Sequence, residues 1–169
     1  MRTAATPIRH REATEADLSA ISALGMQVNL LHHEAFPQLF AGPADPERDA
    51  AHWAMSIAQP MATTFLAEHV GTQAPSQLIG FITVAVVDET HSLMQPVRYG
   101  RVGTLGVSPE WRGHGIGRTL MQHAEDWASA RGAGELRLNV WAFNEGALRL
   151  YRELGYEVRM LTLAKPLAP

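Results

Sequence analysis

Residues 107 to 118 read Val-Ser-Pro-Glu-Trp-Arg-Gly-His-Gly-Ile-Gly-Arg, and they join an apolar strand pattern to an amphipathic helix pattern. The three glycines alternate with other residues. Glycine lets a ligand approach the backbone because it has no Cβ atom, and a helix start offers unpaired N–H groups and the positive end of the helix dipole. The segment predicts a site for a phosphate or pyrophosphate, to which Arg112 and Arg118 add positive charge.

Two common phosphate-binding loops do not fit this spacing. The dinucleotide fingerprint G-x-G-x-x-G needs a third glycine where the chain has Arg118 or Leu120. The Walker loop needs a lysine after its last glycine, whereas Gly117 is followed by arginine. The spacing does resemble the acyl-CoA loop of the GNAT N-acetyltransferase superfamily, R/Q-x-x-G-x-G/A, with Arg112, Gly115 and Gly117 at its defined positions.

A second motif lies about 30 residues further along the chain and strengthens the resemblance. The GNAT signature N-x-x-A-x-x-x-Y-x-x-x-G-F/Y is matched by Asn144, Ala147, Tyr151, Gly155 and Tyr156. Two motifs in the expected order are far more specific than either motif alone. The resemblance covers residues 78 to 163 well and is weaker over residues 1 to 77.

Composition sets limits on the class of protein. The 169 residues suit one domain with a sizeable core, and 46% of them are apolar. The net charge of −3, without a long basic block, argues against general nucleic-acid binding. No apolar run has transmembrane length, and Met1 to Thr6 lack the apolar core of a signal peptide. We therefore expect a cytoplasmic protein without a nucleic-acid or membrane partner; a homodimer stays open.

The chain has no cysteine. This excludes disulfides, cysteine metal sites and an acyl group stored on a thiol of the protein. The segment His32-His33-Glu34 has metal-ligating residue types, but neighbouring residues on a helix point in different directions. We therefore predict no metal site.

Periodicity and breaker residues predict alternating strands and helices. The predicted strands are Ile8 to Arg11, Thr63 to Glu68, Leu78 to Val87, Arg98 to Val107, Leu136 to Val140 and Tyr156 to Leu163. The first predicted helix begins after Thr14, where Asp17 completes a capping box. A second helix is predicted from Glu47 to Ile57. Two further helices begin at Ile116 and Asn144, and they end at Gly132 and Gly155 respectively. Asp88 to Pro96 is predicted to be a polar connection.

The resemblance implies an α+β fold with a mixed, mostly antiparallel central sheet and flanking helices. In this family two parallel central strands splay apart and admit acetyl-CoA; here these would be residues 98–107 and 135–140. Residues 1–169 would form a single domain, with residues 1–77 on the acceptor side and residues 78–165 as the acetyl-CoA-binding core. The residues that would contact acetyl-CoA are Leu105, Gly106, Val107, Arg112, Gly113, His114, Gly115, Ile116, Gly117, Arg118, Asn144 and Tyr151.

The resemblance also implies catalytic roles. Tyr151 would donate a proton to the leaving thiolate, because a phenol has a pKa of roughly 10, close to that of an alkyl thiol; the alternative is a core aromatic residue. Many family members carry a carboxylate on the strand before the glycine loop, whereas this chain has Arg101, Gly103 and Thr104 there. Glu34, at the break of the first helix, is our first choice for the base, and an ordinary solvated glutamate is the alternative.

His33, Asp88, Glu89 and His91 are further candidates for the base, which could also act through water. The predicted function is transfer of an acetyl group from acetyl-CoA directly to a primary amine of a small molecule or peptide. Two alternatives stay open: acetylation of a protein N-terminus, and a non-catalytic acyl-CoA-binding sensor.

Overall fold

The computed structural model describes residues 7–42, 46–57, 59–71 and 75–167. The chain divides into two compact units, Met1–Asn139 and Val140–Pro169. The first unit holds a five-stranded sheet in the order β1-β2-β3-β4-β5. Its strands are β1 Ile8–Glu12, β2 Ala62–His69, β3 Gln77–His91, β4 Met94–Val107 and β5 Leu136–Arg137.

Neighbouring strands are antiparallel except β4 and β5, which are parallel. The helices of the first unit are α1 Leu18–Ala35, α2 Pro46–Ile57 and α3 Ile116–Ser129, with short 3-10 turns at Glu15–Asp17 and Pro109–Trp111. The second unit holds α4 Glu145–Glu153. This mixed, mostly antiparallel sheet with helices confirms the predicted fold class.

The sheet has two different faces. On the face that we call the α3 face, a Cβ atom on Gly80 would lie 2.9 Å from Ile116 and 3.2 Å from Leu120, so α3 packs directly on β3. On the opposite face, the α1–α2 face, α1 and α2 pack on β2 and β3 through a buried cluster of Ile21, Leu24, Trp53, Leu66 and Phe81. Because the central part of β3 is covered on both faces, its sequence from Leu78 to Val87 reads as a nearly continuous apolar run.

The start of α1 is held by charged groups. The backbone N–H of Thr14 donates to the Asp17 carboxylate over 2.8 Å, which confirms the predicted capping interaction. Arg11 pairs with both Asp17 and Glu68 at 2.7 Å. Arg11 is the main reason that the pKa values of both carboxyl groups lie below their usual range. These ion pairs join edge strand β1 to β2 and to the turn before α1.

The polar connection predicted from Asp88 to Pro96 is wrong. β3 continues to His91 and β4 already begins at Met94, so only two residues turn the chain. Asp88 lies opposite Arg98, and their side chains form an ion pair of 2.6 Å. Polar residues form strands here because the end of the hairpin is exposed to water on both faces.

The predicted strand from residue 156 to residue 163 is also wrong. The structure assigns no strand to these residues, and their apolar side chains are exposed, Leu163 to 90%. β5 is shorter than the predicted Leu136–Val140. A strand needs a hydrogen-bonded neighbour, and alternation of apolar residues alone supplies none. As a result β5 is the edge of the described sheet, and the separation of β4 from β5 lies at this edge rather than in the middle.

Candidate functional site

The glycine loop has an unusual backbone conformation between β4 and α3. Gly113 and Gly115 have φ angles of 77° and 80°, which side-chain-bearing residues rarely adopt. A Cβ atom at either position would meet no other atom within 4 Å. These glycines are therefore required by the backbone turn and leave its surface open, and they do not serve internal packing.

The first turn of α3 supplies hydrogen-bond donors at the same place. Gly115 is the N-cap of α3, and the Thr119 N–H donates to the Gly115 carbonyl over 3.1 Å. The N–H groups of Ile116 and Gly117 precede this bond and have no acceptor inside the helix. Open backbone, helix N–H groups and the positive end of the helix dipole fit a pyrophosphate group.

The polar side chains of the loop, Arg112, His114 and Arg118, are exposed. The Arg112 Nε–H donates to the Val107 carbonyl over 3.3 Å, which holds the side chain beside the end of β4. The His114 Nδ1–H donates to the Arg112 carbonyl over 3.0 Å. Arg118 lies in the first turn of α3. All three predicted loop residues thus surround the start of α3.

β4 has an irregular ladder just before the loop. Its pairing with β3 shifts between Ile82 and Val84, opposite Leu105 and Val102. The Thr104 N–H at this bulge donates to the Thr83 hydroxyl over 2.9 Å. Thr83 interrupts the apolar run of β3, which was the one sequence signal for a special role, and the sequence reasoning missed it.

The opposite edge of β4 is open toward the loop. β5 pairs with β4 only at Gly100 and Arg101, and within the described residues no strand pairs with this edge beyond them. Backbone groups of Leu105, Gly106 and Val107 therefore lie on a free stretch of edge. Such an edge can accept an extended ligand as an added strand.

In the second unit, Asn144 and Tyr151 lie at the two ends of α4. The Asn144 Oδ1 accepts the Ala147 N–H over 3.1 Å, so this residue is the N-cap. Tyr151 is only 9% exposed, and its ring meets that of Tyr156 edge-on at 5.9 Å. Burial raises the pKa of the Tyr151 phenol, so its hydroxyl keeps its proton at neutral pH.

Glu34 lies exposed in the last turn of α1. α1 crosses β4 at Gly106, where a Cβ atom would lie 3.1 Å from the Val28 side chain. Glu34 follows Val28 by about 9 Å along the helix axis at the usual rise per residue. The role of Glu34 as the base stays a prediction.

The other candidates for the base are occupied by structural contacts. The His33 Nδ1–H donates to the Phe40 carbonyl over 2.8 Å. Asp88 pairs with Arg98, and Glu89 pairs with Arg137 over 3.0 Å. The His91 Nδ1 accepts the Leu93 N–H at the tip of the hairpin. These contacts favour structural roles for all four side chains.

Residues 7–42, 46–57, 59–71 and 75–167 contain neither a metal-binding cluster nor a membrane-spanning helix. In that part of the chain, no three side chains among histidine, cysteine, aspartate and glutamate come close enough together to share a metal ion. Over the same residues, no helix has both the length and the apolar character needed to cross a bilayer.

Known proteins are similar to this chain in sequence or in fold. Streptothricin acetyltransferase from Streptomyces lavendulae is 52% identical over 50 residues, which are 30% of this chain and 26% of that protein. N-alpha-acetyltransferase RimI from Mycobacterium tuberculosis is 36% identical over 89 residues, 53% of this chain and 51% of RimI. A crystal structure of a mutant BH1408 protein from Bacillus halodurans has a TM-score of 0.81 at 24% identity, and covers 95% of this chain and 99% of that one.

The likeness to the BH1408 structure shows a shared fold and nothing more. The chain spans about a quarter of the length of the first relative and about half of that of the second. The family model described as "Acetyltransferase (GNAT) family" matches residues 28–156, which include β4, the glycine loop and all of α4 with Tyr151. The chain therefore belongs to the acetyltransferase (GNAT) family.

Proposed function

We propose that this protein transfers an acetyl group from acetyl-CoA directly to a primary amine of a small molecule or peptide. The observation that carries the proposal is the open backbone at Gly113 and Gly115, which leads into the N–H groups of α3. This site suits the pyrophosphate of coenzyme A. Acetyl-CoA supplies the acetyl group as an activated thioester.

The free edge of β4 continues the binding site. Leu105, Gly106 and Val107 offer backbone hydrogen bonds to the pantetheine arm in the manner of an added strand. Arg112 and Arg118 add charge around the phosphates. Asn144 contacts the cofactor through groups that its capping bond leaves available. Residues 1–77 form the acceptor side of a single domain.

Tyr151 is the proposed proton donor. Its buried phenol is protonated at neutral pH and gives its proton to the sulfur as the thiolate leaves. Glu34 removes the proton from the attacking amine, directly or through water. No acyl-enzyme forms on a thiol, because the chain has no cysteine, so both substrates react in one ternary complex.

The relatives support two kinds of acceptor. Streptothricin acetyltransferase is named for a small molecule, and RimI is named as an N-alpha-acetyltransferase. The similarity to RimI favours a protein N-terminus as a second candidate acceptor. A thiol-release assay with acetyl-CoA should therefore include polyamines, amino acids, aminoglycosides and short peptides with free N-termini.

Tyr151→Phe tests the chemistry. This change keeps the ring and its packing and removes only the hydroxyl group. We expect kcat to fall by roughly 10²- to 10⁴-fold, while acetyl-CoA affinity and melting temperature stay near those of the wild type. Tyr156→Phe is the matched control, because it removes a hydroxyl group from the neighbouring ring. A folded Tyr151→Phe protein with wild-type kcat, under conditions in which chemistry limits turnover, would contradict the proton-donor role.

A further inference from the structure

Part of the α1–α2 face is left open beside the bulge in β4. Gly103 belongs to this face, since a Cβ atom there would lie 2.7 Å from the Thr83 hydroxyl oxygen. Arg101 is two residues earlier on the same strand and therefore points to the same side. Both residues are exposed, whereas Phe81 on this face is fully buried beneath the helices.

Arg137 on β5 already has partners for its charge. Its Nε–H donates to Glu135 over 2.6 Å and its Nη1–H donates to Glu89 over 3.0 Å. Its guanidinium lies 4.0 Å from the centroid of the Tyr99 ring. Two carboxylates and an aromatic face thus neutralise and hold this side chain.

Arg101 lies directly beside Arg137 in the parallel ladder, and opposite Ala85 on β3. In contrast to Arg137, its side chain has no hydrogen bond or ion pair with any residue that the structure describes. The local carboxylates Glu89 and Glu135 are both taken up by Arg137. Arg101 therefore presents an uncompensated guanidinium to solvent, which a carboxylate can bind in a bidentate manner.

The position of Arg101 connects it with the reaction. It is the last residue at which β4 pairs with β5, so it marks the inner end of the free edge of β4. Gly103, at the bulge, lies about 7 Å further along the strand. An amine held near the bulge and a carboxylate held by Arg101 can therefore belong to one small molecule.

We propose that Arg101 binds a carboxylate carried by the acceptor, so that the preferred acceptors are amino acids or peptides with a free carboxyl group. This inference rests on the proposed acetyltransferase function. The same positive charge disfavours polycationic acceptors, because like charges near each other raise the free energy of the complex. Arg101 acts as a specificity-determining residue and takes no part in proton transfer.

The first test compares matched acceptors. Alanyl-alanine, alanyl-alanine amide and spermidine are assayed by thiol release with the wild type, Arg101→Gln and Arg101→Lys. We expect the wild type to prefer the free acid, and Arg101→Gln to raise KM for the acid by roughly 10- to 100-fold, because a charge-assisted hydrogen-bond pair is lost. KM for the amide should be unchanged. Arg101→Lys should have a KM for the acid between those of the wild type and Arg101→Gln, since lysine keeps the charge without the planar fork.

The control is Arg98→Gln, which removes a positive charge from the same strand at a residue that pairs with Asp88. It should leave the preference for the free acid intact. A second test needs no turnover: calorimetry of N-acetyl-alanyl-alanine and of its amide in the presence of coenzyme A. The acid should bind more tightly to the wild type, and Arg101→Gln should remove this difference.

The outcomes separate this inference from the proposed function. If acetyl-CoA binds and only the amide or spermidine is acetylated, the acetyltransferase function stands and the role of Arg101 is wrong. An acid preference that survives in Arg101→Gln also contradicts the inference. If no compound reacts and the two products bind equally, the carboxylate site is again excluded. Failure of the wild type to bind acetyl-CoA would remove the proposed function, and the inference with it.

Discussion

Two glycines on either side of the β4–α3 junction are required for opposite reasons. Gly100 in β4 is buried on the α3 face, where an added Cβ atom would lie 2.7 Å from Ala128 and closer still to Leu136. Gly115 in the loop has a φ angle of 80° and open space around it. The first glycine lets two elements pack closely, and the second lets the chain turn while its backbone stays accessible to a ligand.

This difference separates folding from binding. Substitution in the packed region should cost stability first, and activity only as a consequence. Substitution in the loop should cost ligand affinity, with a smaller effect on stability. Three experiments test this separation, beginning with the one for which we expect the largest effect.

Gly100→Val should strongly destabilise the protein. The added side chain would have to displace Ala128, whose Cβ is attached to the backbone of α3, and overpacking of this kind costs about 3 kcal/mol at the upper end of its usual range. The midpoint of urea unfolding measures the loss. Gly146→Ala is the control: Gly146 is exposed in α4, and alanine there should stabilise the helix by up to about 1 kcal/mol. A Gly100→Val protein as stable as the wild type would show that the close packing is not needed.

Gly115→Val should remove most acetyl-CoA binding from a protein that still folds. A side-chain-bearing residue in this left-handed conformation costs about 1–2 kcal/mol, and its side chain covers the open backbone. Calorimetry with acetyl-CoA and urea unfolding, on the same preparation, measure both effects. Gly132→Val is the matched control, since Gly132 has a φ angle of 82° but follows the other end of α3. It should lose similar stability and keep its affinity; unchanged affinity in Gly115→Val would contradict the loop assignment.

The smallest effect should be a pH dependence of the free energy of unfolding, which arises from a histidine on the α3 face. The His10 and His123 rings lie 5.2 Å apart, and the buried His10 Nε2 has no hydrogen-bond partner among the described residues. Burial, and then His123, lower the pKa of His10 below its usual value of 6.5. The unfolded chain therefore binds this proton more readily than the folded chain, so stability should fall as the pH drops below that value.

Urea unfolding at pH 7.5 and at pH 5.5 measures this slope. His10→Phe keeps an aromatic ring and cannot titrate, so it should lose less stability between the two pH values than the wild type. Asp17 and Glu68, whose pKa values are lowered by Arg11, contribute stability that is lost only as the pH falls below this window. Equal slopes in the wild type and in His10→Phe would exclude His10 as the source.

The sequence predicted the elements whose signals are local. The start of α1 at Thr14 and Asp17, the N-cap of α4 at Asn144 and the glycine loop all follow from contacts within a few residues. Predictions that depended on a distant strand were less reliable. The hairpin from Asp88 to Arg98 was missed because its stability comes from cross-strand pairs, and the strand after Tyr156 was wrong because apolar alternation does not provide a partner.

The sequence alone was sufficient for the conformation of the glycine loop, because glycine spacing and a helix start determine backbone conformation and donor position locally. Only the tertiary structure placed Arg101 beside Arg137, and the Thr83 hydroxyl beneath the Thr104 N–H. These pairs are distant in the chain, and a register shift of one residue would turn every side chain of β4 to the other face. Sheet register is set by packing on both faces at once, and for that reason the uncompensated charge of Arg101 became visible only in the folded molecule.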